Sequence, residues 1–278
     1  MNDSEVARAK LNLALHVRHR RADGYHELET IFAFVEIGDI VGVADTGPPL
    51  EIDGPFGGGL AAGSDNLILR AVMALRKASG VQKPVSLRLC KNLPVASGIG
   101  GGSADAAATL RLLNRYWQLH WPIGRLAALG SELGADVAAC VWSTAQYGGG
   151  RGDLLRPIAE SGLAGQPVLL VNPGVGVSTT DIFRAWDGKD RGSLPSGDVL
   201  AVASAARNDL TKPALALQPV IGAVLELLSA QDRVELVRMS GSGATCFGLF
   251  PDPASCDAAA AALRAAQLGW WVMPTRLV

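Results

Sequence analysis

The chain has 278 residues, which predicts about two domains at roughly 150 residues each, and its 25 basic and 26 acidic side chains give a formal net charge of −1. Proteins whose main partner is nucleic acid or an anionic membrane surface usually carry a basic excess, so this balance argues against both classes of partner. The start of the chain lacks the apolar segment of a signal peptide, and we expect a cytoplasmic protein whose four cysteines are reduced.

Alternating residue types predict a strand over residues 6–17, half-buried, whose polar face carries Lys10 and Asn12. The next elements predicted in chain order are a strand near 28–37, an exposed glycine- and proline-rich loop over 48–63, a helix over 66–78 capped by Asp65, a strand at 85–89, a helix ending near 116 and a helix at 123–133.

After residues 148–152 the pattern changes, which predicts a second domain. Its elements in chain order are a strand at 168–171, helices near 179–186, 197–206 and 213–228, strands at 235–239 and 245–250, a helix over 253–267 and a last strand near 270–277. Because strands and helices mix without strict alternation, we predict two α+β domains, and we place them at residues 1–155 and 156–278.

A glycine-rich stretch at residues 94–108 is the most informative part of the sequence. Four of its residues are glycines (Gly98, Gly100, Gly101 and Gly102), and Ser103 and an alanine-rich run follow at once. Glycine lets backbone N–H groups converge on an oxyanion, and a helix that begins near Ser103 adds its own free N–H groups and positive dipole end. We therefore predict a phosphate-binding loop. A flexible connector is the alternative, but it would not need helix formers directly against its last glycine.

Two common phosphate-binding motifs do not fit this loop. A Walker A motif requires Gly-Lys-Ser/Thr after the glycines, and the chain has none. A dinucleotide fingerprint requires a tight strand–turn–helix junction and an acidic residue about 20 positions later. Here the strand at 85–89 ends well before Gly98, and Tyr116-Trp117-Gln118 occupies the later region.

Two charged side chains are candidates for phosphoryl-transfer chemistry. Asp136 is a lone carboxylate among small and apolar residues and could accept the acceptor's proton, and Lys10 could serve as its cationic partner. Each has a simpler interpretation: an Asp after Gly-Ala often caps a helix, and a lysine on a strand face is usually solvated. The residues alone leave both alternatives open.

The loop resembles the nucleotide loop of the GHMP kinases, with Ile99 in place of that loop's leucine and Gly102-Ser103 where many members have Ser-Ser. Further motifs resemble one branch of the family, which acts on a cytidine diphosphate-linked methylerythritol. They run in the expected order along nearly the whole chain: Ala9-Lys10-Leu11-Asn12-Leu13, Arg21-Ala22-Asp23-Gly24-Tyr25-His26, Asp65-Asn66-Leu67, Lys91-Asn92-Leu93-Pro94, Gly134-Ala135-Asp136-Val137, Asn208-Asp209-Leu210 and Ser240-Gly241-Ser242-Gly243-Ala244-Thr245.

This resemblance implies a two-domain α+β GHMP kinase fold, with an ATP-binding N-terminal domain, a ferredoxin-like C-terminal domain and the active site in the cleft between them. It implies that Lys10 and Asp136 are the catalytic pair. The residues it assigns to ATP are Pro94, Val95, Ala96, Ser97, Gly98, Ile99, Gly100, Gly101, Gly102, Ser103, Ala104, Asn66 and Lys91. The residues it assigns to the second substrate are Asn12, Tyr25, His26, Thr179 and Phe183.

The activity implied is ATP-dependent phosphorylation of the 2-hydroxyl of the methylerythritol moiety, a step of non-mevalonate isoprenoid precursor biosynthesis. Mg²⁺ would bridge the phosphates, with Ser103 as its candidate ligand, and we expect a monomer or weak homodimer. Asp105 stands where the family often has a neutral Asn, which adds negative charge beside the phosphates. Two alternatives remain: a GHMP kinase for another small alcohol, such as homoserine or mevalonate, and a catalytically silent nucleotide-binding relative.

Overall fold

The computed structural model describes residues 3–159 and 162–278 and has an α+β architecture. Within these residues it contains ten strands: β1 (Ser4–Arg20), β2 (His26–Ala44), β3 (Leu50–Asp53), β4 (Ser86–Cys90), β5 (Gln146–Gly149), β6 (Leu154–Pro157), β7 (Pro167–Asn172), β8 (Leu236–Met239), β9 (Cys246–Leu249) and β10 (Trp271–Arg276). The same residues form nine helices: α1 (Leu67–Ser79), α2 (Gly101–Tyr116), α3 (Ile123–Ser131), α4 (Val137–Trp142), α5 (Thr179–Arg184), α6 (Val199–Ala205), α7 (Thr211–Leu217), α8 (Val220–Ser229) and α9 (Pro253–Ala266). Among the described helices, none is long and apolar enough to cross a membrane.

The strands form two sheets. The first has the order β3-β4-β2-β5-β6, and β1 pairs with β2. Strands β3 and β4 are parallel, whereas β4 and β5 are each antiparallel to β2. The second sheet has the order β10-β7-β9-β8 and is antiparallel throughout.

The chain forms two compact units, and neither is continuous in sequence. The first combines the chain up to Lys10 with Ile37–Val95 and Gly100–Ser143. The second combines Leu11–Glu36, Ala96–Ile99 and Thr144–Val278. Strands β1 and β2 each contribute to both units, so the chain passes between them several times. The division at residues 155 and 156 stays a prediction.

Strand β1 differs from the half-buried strand that its alternating pattern predicts. Its residues from Ala9 to Leu15 are all buried, and this includes the polar side chains of Lys10 and Asn12. Asn12 is satisfied inside the fold, because its Nδ2 donates to Thr30 Oγ1 at 2.7 Å and its backbone N–H donates to Ser240 Oγ at 3.2 Å. Alternation therefore reflects two kinds of buried environment here, apolar on one face and hydrogen-bonded on the other.

Three other predictions need correction, and two further features were not predicted. The cap of α1 is Asn66 rather than Asp65, since Asn66 Oδ1 accepts the N–H of Ile68 at 2.9 Å. The segment predicted as an exposed loop contains β3, which pairs with β4. The helix predicted over 213–228 is two helices, because Pro219 lacks the N–H that a continuing helix needs. Helix α4 and the β5–β6 hairpin have no counterpart in the predicted elements.

His16 is held as a neutral imidazole in the interior of the second unit. Its side chain is 1% exposed, its Nδ1 lies 3.0 Å from the carbonyl oxygen of Gly192, and its Nε2 accepts the N–H of Arg207 at 3.3 Å. Nδ1 must therefore carry the proton and donate it. Burial lowers the pKa of His16 from its ordinary value of 6.5, and the nearby Arg207 lowers it further, against the opposing effects of Asp209 and Glu29.

We expect folding stability to fall as the pH drops below about 6.5, in part because of His16. Its folded-state pKa lies below the unfolded value, so its contribution is present above the unfolded pKa and is lost as the pH falls through the folded one. Protonation would also place an N–H on Nε2 opposite the N–H of Arg207. Chemical denaturation at pH 8.0 and pH 5.5 should show a smaller pH effect in His16→Gln than in the parent. His19→Gln, an exposed control, should keep the parent's pH dependence. Equal pH dependence in the parent and His16→Gln would contradict this prediction.

Candidate active site

The predicted phosphate loop, residues 94–104, lies between β4 and the first turns of α2, and backbone packing sets its shape. Gly98 adopts a left-handed conformation (φ +75°), and a Cβ there would lie 2.5 Å from the carbonyl oxygen of Ser240. Ser240 Oγ donates to the Gly98 carbonyl at 3.0 Å, and the N–H of Thr245 donates to the Ser97 carbonyl at 3.0 Å. The loop after β8 thus packs directly on the glycine turn, and only glycine fits at position 98.

Helix α2 begins at a glycine rather than at a capping side chain. Gly100 occupies the N-cap position in a left-handed conformation (φ 68°), and its carbonyl accepts the N–H of Ala104 at 2.8 Å. Gly100 has no side chain that could accept an N–H of the first turn. The N–H groups of Gly101, Gly102 and Ser103 therefore lie at an uncapped helix N-terminus, which is a favourable place for an anion.

Lys10 and Asp136 form an ion pair beside this helix start. Lys10 Nζ lies 3.0 Å from Asp136 Oδ2, and the two side chains are 4% and 34% exposed. A Cβ on Gly100 would lie 3.1 Å from Lys10 Cε, so the N-cap of α2 packs against the lysine. Asp136 precedes α4, yet within the described residues its side chain makes no capping hydrogen bond. The geometry thus favours the ion pair over the alternative of a helix cap.

A second buried lysine lies at the same helix start. Lys91 Nζ lies 2.7 Å from Asp105 Oδ2 and also pairs with Asp39 Oδ2. Burial raises the pKa of Asp105 to about 7, against the opposing attraction of Lys91. The two carboxylates raise the pKa of Lys91 despite its burial, so the lysine is charged. A Cβ on Gly101 would lie 3.1 Å from Lys91 Nζ, so a larger residue there would require the end of the lysine to shift by a few tenths of an ångström.

An aromatic group lies in the second unit. The His26 ring packs 5.0 Å from Phe183 in a tilted arrangement and 5.7 Å from Trp186, edge to face. Burial lowers the pKa of His26, and the positive charge of Arg20 lowers it further, so the ring is neutral near pH 7. A neutral imidazole both donates and accepts a hydrogen bond, which suits recognition of an uncharged heterocycle.

Tyr25 is 53% exposed, with the guanidinium of Arg151 over its ring at 4.9 Å from the centroid. Arg151 is itself held by Asp153 Oδ2 at 2.6 Å. In the same unit, Thr179 Oγ1 lies 3.0 Å from Ser242 Oγ. A half-exposed aromatic ring and a hydroxyl pair are both suited to binding a ligand rather than to filling a core.

The predicted site residues divide between the two units. The first contains Lys10, Asp136, Asn66, Lys91, Pro94, Val95, Gly100, Gly101, Gly102, Ser103 and Ala104. The second contains Asn12, Tyr25, His26, Thr179, Phe183, Ala96, Ser97, Gly98 and Ile99. Within their units, Lys10 meets Asp136 and His26 meets Phe183. The side chain of Asn66 caps α1, and that of Lys91 lies in its ion cluster.

Sequence reasoning missed three residues of these arrangements: Asp39, Trp186 and Ser240. No pattern in the sequence pointed to Asp39, because its partner Lys91 is 52 positions away. Trp186 lies three positions after Phe183 on the predicted helix, a spacing that places two side chains on one face. Ser240 belongs to a motif that the sequence singled out, but the residues it contacts could not be read from the motif.

A magnesium ion would find few protein ligands here. Among the described residues, no group of three or more His, Cys, Asp or Glu side chains could hold a metal ion. Mg²⁺ commonly keeps several waters and binds through one or two protein oxygens plus substrate phosphates. The half-buried hydroxyl of Ser103, in the first turn of α2, fits that smaller requirement.

Comparison with known proteins supports one family. The family model for the GHMP kinases N terminal domain matches residues 66–144, and the model for the GHMP kinases C terminal matches residues 191–267. The 4-diphosphocytidyl-2-C-methyl-D-erythritol kinase of Rhizorhabdus wittichii is 54% identical over 100% of this chain and 95% of its own length. The kinase of the same name from Sphingopyxis alaskensis is 52% identical over 97% of this chain and 96% of its own length.

Solved structures agree with these relatives. A crystal structure of 4-(cytidine 5'-diphospho)-2C-methyl-D-erythritol kinase matches with a TM-score of 0.81 and 35% identity, covering 98% of this chain and 99% of that chain. A homoserine kinase from Cytophaga hutchinsonii matches with a TM-score of 0.75 at 16% identity over 100% and 98% of the two chains, which shows the fold alone. With about half of its residues identical to full-length relatives and both domain models matched, this chain belongs to the GHMP kinases, in the 4-diphosphocytidyl-2-C-methyl-D-erythritol kinase family.

Proposed function

We propose that this chain transfers the γ-phosphoryl group of ATP to the 2-hydroxyl of 4-diphosphocytidyl-2-C-methyl-D-erythritol, a step of the non-mevalonate route to isoprenoid precursors. Its relatives at 54% and 52% identity carry the name of that kinase. The structural observation that supports the chemistry best is the Lys10–Asp136 ion pair packed against the N-cap of α2. It places a carboxylate and an ammonium beside an uncapped helix N-terminus.

Phosphate binding would depend on the backbone of the loop. The free N–H groups of the first turn of α2 and its positive dipole end attract the oxygens of the triphosphate. The Lys10 ammonium, packed against Gly100, adds a full positive charge near the same turn. The loop residues from Pro94 to Ala104 are proposed to surround the phosphates, with Asn66 beside the adenosine.

Asp136 is proposed to orient the acceptor hydroxyl and accept its proton. The oxygen of that hydroxyl attacks the γ-phosphorus while the bond to the bridging oxygen of ADP breaks, and the proton passes to the Asp136 carboxylate. Lys10 holds the carboxylate through its ion pair and offsets the negative charge that develops on the transferred group. Because Asp136 is one-third exposed, a substrate can reach it.

Mg²⁺ is proposed as the metal, with the Ser103 hydroxyl as its protein ligand. When bound, it neutralises charge on the β- and γ-phosphates and orients them. The chain supplies the loop and the helix start that receive the metal–nucleotide complex.

The second unit is proposed to bind the cytidine end of the substrate. Tyr25 and Phe183 offer aromatic faces for the base, and stacking of a base on such a face contributes about 1–3 kcal/mol without selecting the base. Selection must then come from hydrogen bonds to the edge of the base, which we assign to the neutral His26. Asn12 and Thr179 are proposed to bind the remainder of the substrate.

Asp136→Asn keeps the size of the side chain and removes the proton acceptor. We expect kcat to fall by about 10²–10⁴-fold, the usual contribution of a general base, while the Kd for ATP stays within a few-fold of the parent's. Lys10→Ala should lower kcat and also weaken ATP binding, since it removes a charge beside the loop. Steady-state kinetics with calorimetric titration of ATP measures both quantities. Asp257→Asn, which changes an exposed carboxylate on α9, is the control and should keep kcat near the parent's.

A different outcome would exclude the assignment. If Asp136→Asn retains more than a few tens of per cent of the parent's kcat, Asp136 is not the proton acceptor, and its ion pair with Lys10 is structural.

Substrate choice separates this function from that of a kinase for another small alcohol. We expect kcat/KM for the cytidine form of the substrate to exceed that for the uridine form by at least tenfold, because a site that pairs with the cytosine edge leaves polar groups unmatched by uracil. Tyr25→Ala should weaken both forms, and His26→Ala should narrow the gap between them. Equal use of both bases, or turnover of free methylerythritol, homoserine or mevalonate at a similar rate, would rule out the proposed cytidine site.

A further inference from the structure

Both ends of the phosphate loop meet one buried ion cluster, formed by Asp39, Lys91 and Asp105. At the entry to the loop, the backbone N–H groups of Asn92 and Leu93 donate to Asp39 Oδ1 at 2.6 and 2.8 Å. At the exit, Asp105 in the first turns of α2 binds Lys91 Nζ at 2.7 Å. Lys91 also pairs with Asp39 Oδ2, so one lysine joins the two ends.

The cluster is closed to solvent. The side chains of Asp39, Lys91 and Asp105 are 0%, 5% and 6% exposed. In so dry an environment an ion pair is strong, and removal of one partner leaves an uncompensated charge that the protein cannot solvate. The groups that pair with each other therefore cannot separate without a large loss of free energy, and the backbone segments that carry them keep their spacing.

The charges in the cluster argue against a direct role in attracting the nucleotide. Two carboxylates face one ammonium, and Asp105 Oδ1 is buried with no hydrogen-bond partner among the described residues. The cluster carries no net positive charge whether Asp105 is protonated or not, so it gives phosphates no net attraction. Lys91 Nζ instead lies close to the backbone at the start of α2, 3.1 Å from where a Cβ on Gly101 would be, so the cluster contacts the end of the loop directly.

We propose that Asp39, Lys91 and Asp105 are positioning residues that fasten the two ends of the phosphate loop in the conformation that binds ATP. Lys91 then acts through the loop rather than on the nucleotide, in place of the adenosine contact expected from family resemblance. Preorganisation of this kind lowers the cost of ordering a glycine-rich loop when the ligand binds. The inference rests on the proposed function only in taking ATP as the nucleotide.

Three variants test the role of Asp105 while leaving the Asp39–Lys91 pair balanced. Asp105→Leu removes the tie to α2, Asp105→Asn keeps an oxygen that accepts from Lys91, and Asp105→Ala is a smaller replacement should leucine disturb folding. Arg88→Met is the matched control, because it breaks an exposed ion pair with Asp53 near the same segment, on β4. For each protein we would measure the Kd for ATP by calorimetry without acceptor substrate, kcat at saturating ATP, and the midpoint of thermal unfolding.

We expect Asp105→Leu and Asp105→Ala to raise the Kd for ATP at least tenfold, with kcat at saturation within threefold of the parent's and no lower unfolding midpoint. Asp105→Asn should restore the Kd to within threefold of the parent's, and Arg88→Met should not change it. An unchanged Kd in Asp105→Leu would mean that the cluster only stabilises the fold. A tighter Kd would mean that Asp105 acts through its charge, or that Lys91 contacts the nucleotide once freed. Either result overturns the proposal.

These measurements also separate this proposal from the proposed function. The Kd series uses ATP alone, so a parent that binds ATP but fails to phosphorylate the cytidine-linked alcohol would leave the series intact and refute only the choice of substrate.

Discussion

Two consecutive glycines at the start of α2 each lie directly on a buried lysine, and the rest of the site depends on this arrangement. A Cβ on Gly100 would lie 3.1 Å from Lys10 Cε, and a Cβ on Gly101 would lie 3.1 Å from Lys91 Nζ. A helix N-terminus already carries a partial positive charge, and the two ammonium groups beneath it are offset by the carboxyl groups that pair with them. The left-handed backbone of Gly100 favours glycine, and a Cβ at either position would require the end of a lysine side chain to shift by a few tenths of an ångström. The same absence of a side chain at Gly100 leaves the first-turn N–H groups without a side-chain cap.

Each lysine needs a carboxylate because a buried ammonium is costly without one, and the two lysines satisfy that need differently. The partner of Lys10 is Asp136, which is 34% exposed. The partners of Lys91 are Asp39 and Asp105, which are almost wholly buried. Exposure therefore separates the Lys10–Asp136 pair from the cluster around Lys91. The exposed carboxylate of the pair is suited to proton transfer, and the enclosed carboxylates of the cluster are suited to holding backbone in place.

Much of the fold was predictable from local pattern, and the failures have identifiable causes. Helices α2 and α9 and strand β7 were predicted close to their observed bounds. In each segment the pattern of apolar residues and the residues that flank it predict the same element. The burial of both faces of β1 was not predictable. Alternation reports polarity, whereas burial depends on what the rest of the chain packs against each face. Likewise β3 is short and exists through its pairing with β4, a contact between segments that are distant in sequence.

By itself, the sequence determined the family, and it predicted a phosphate loop and a pairing of Lys10 with Asp136, because each depends on residue types in a fixed order along the chain. Residue types alone are enough to predict that a glycine-rich run leads into a helix. The tertiary structure decided which charges are enclosed and which are open. It showed that Asp136 meets Lys10 instead of capping α4, and that Lys91 is engaged by Asp39 from 52 positions away. Burial and long-range pairing set the strength of an electrostatic interaction, and both exist only once the chain has folded.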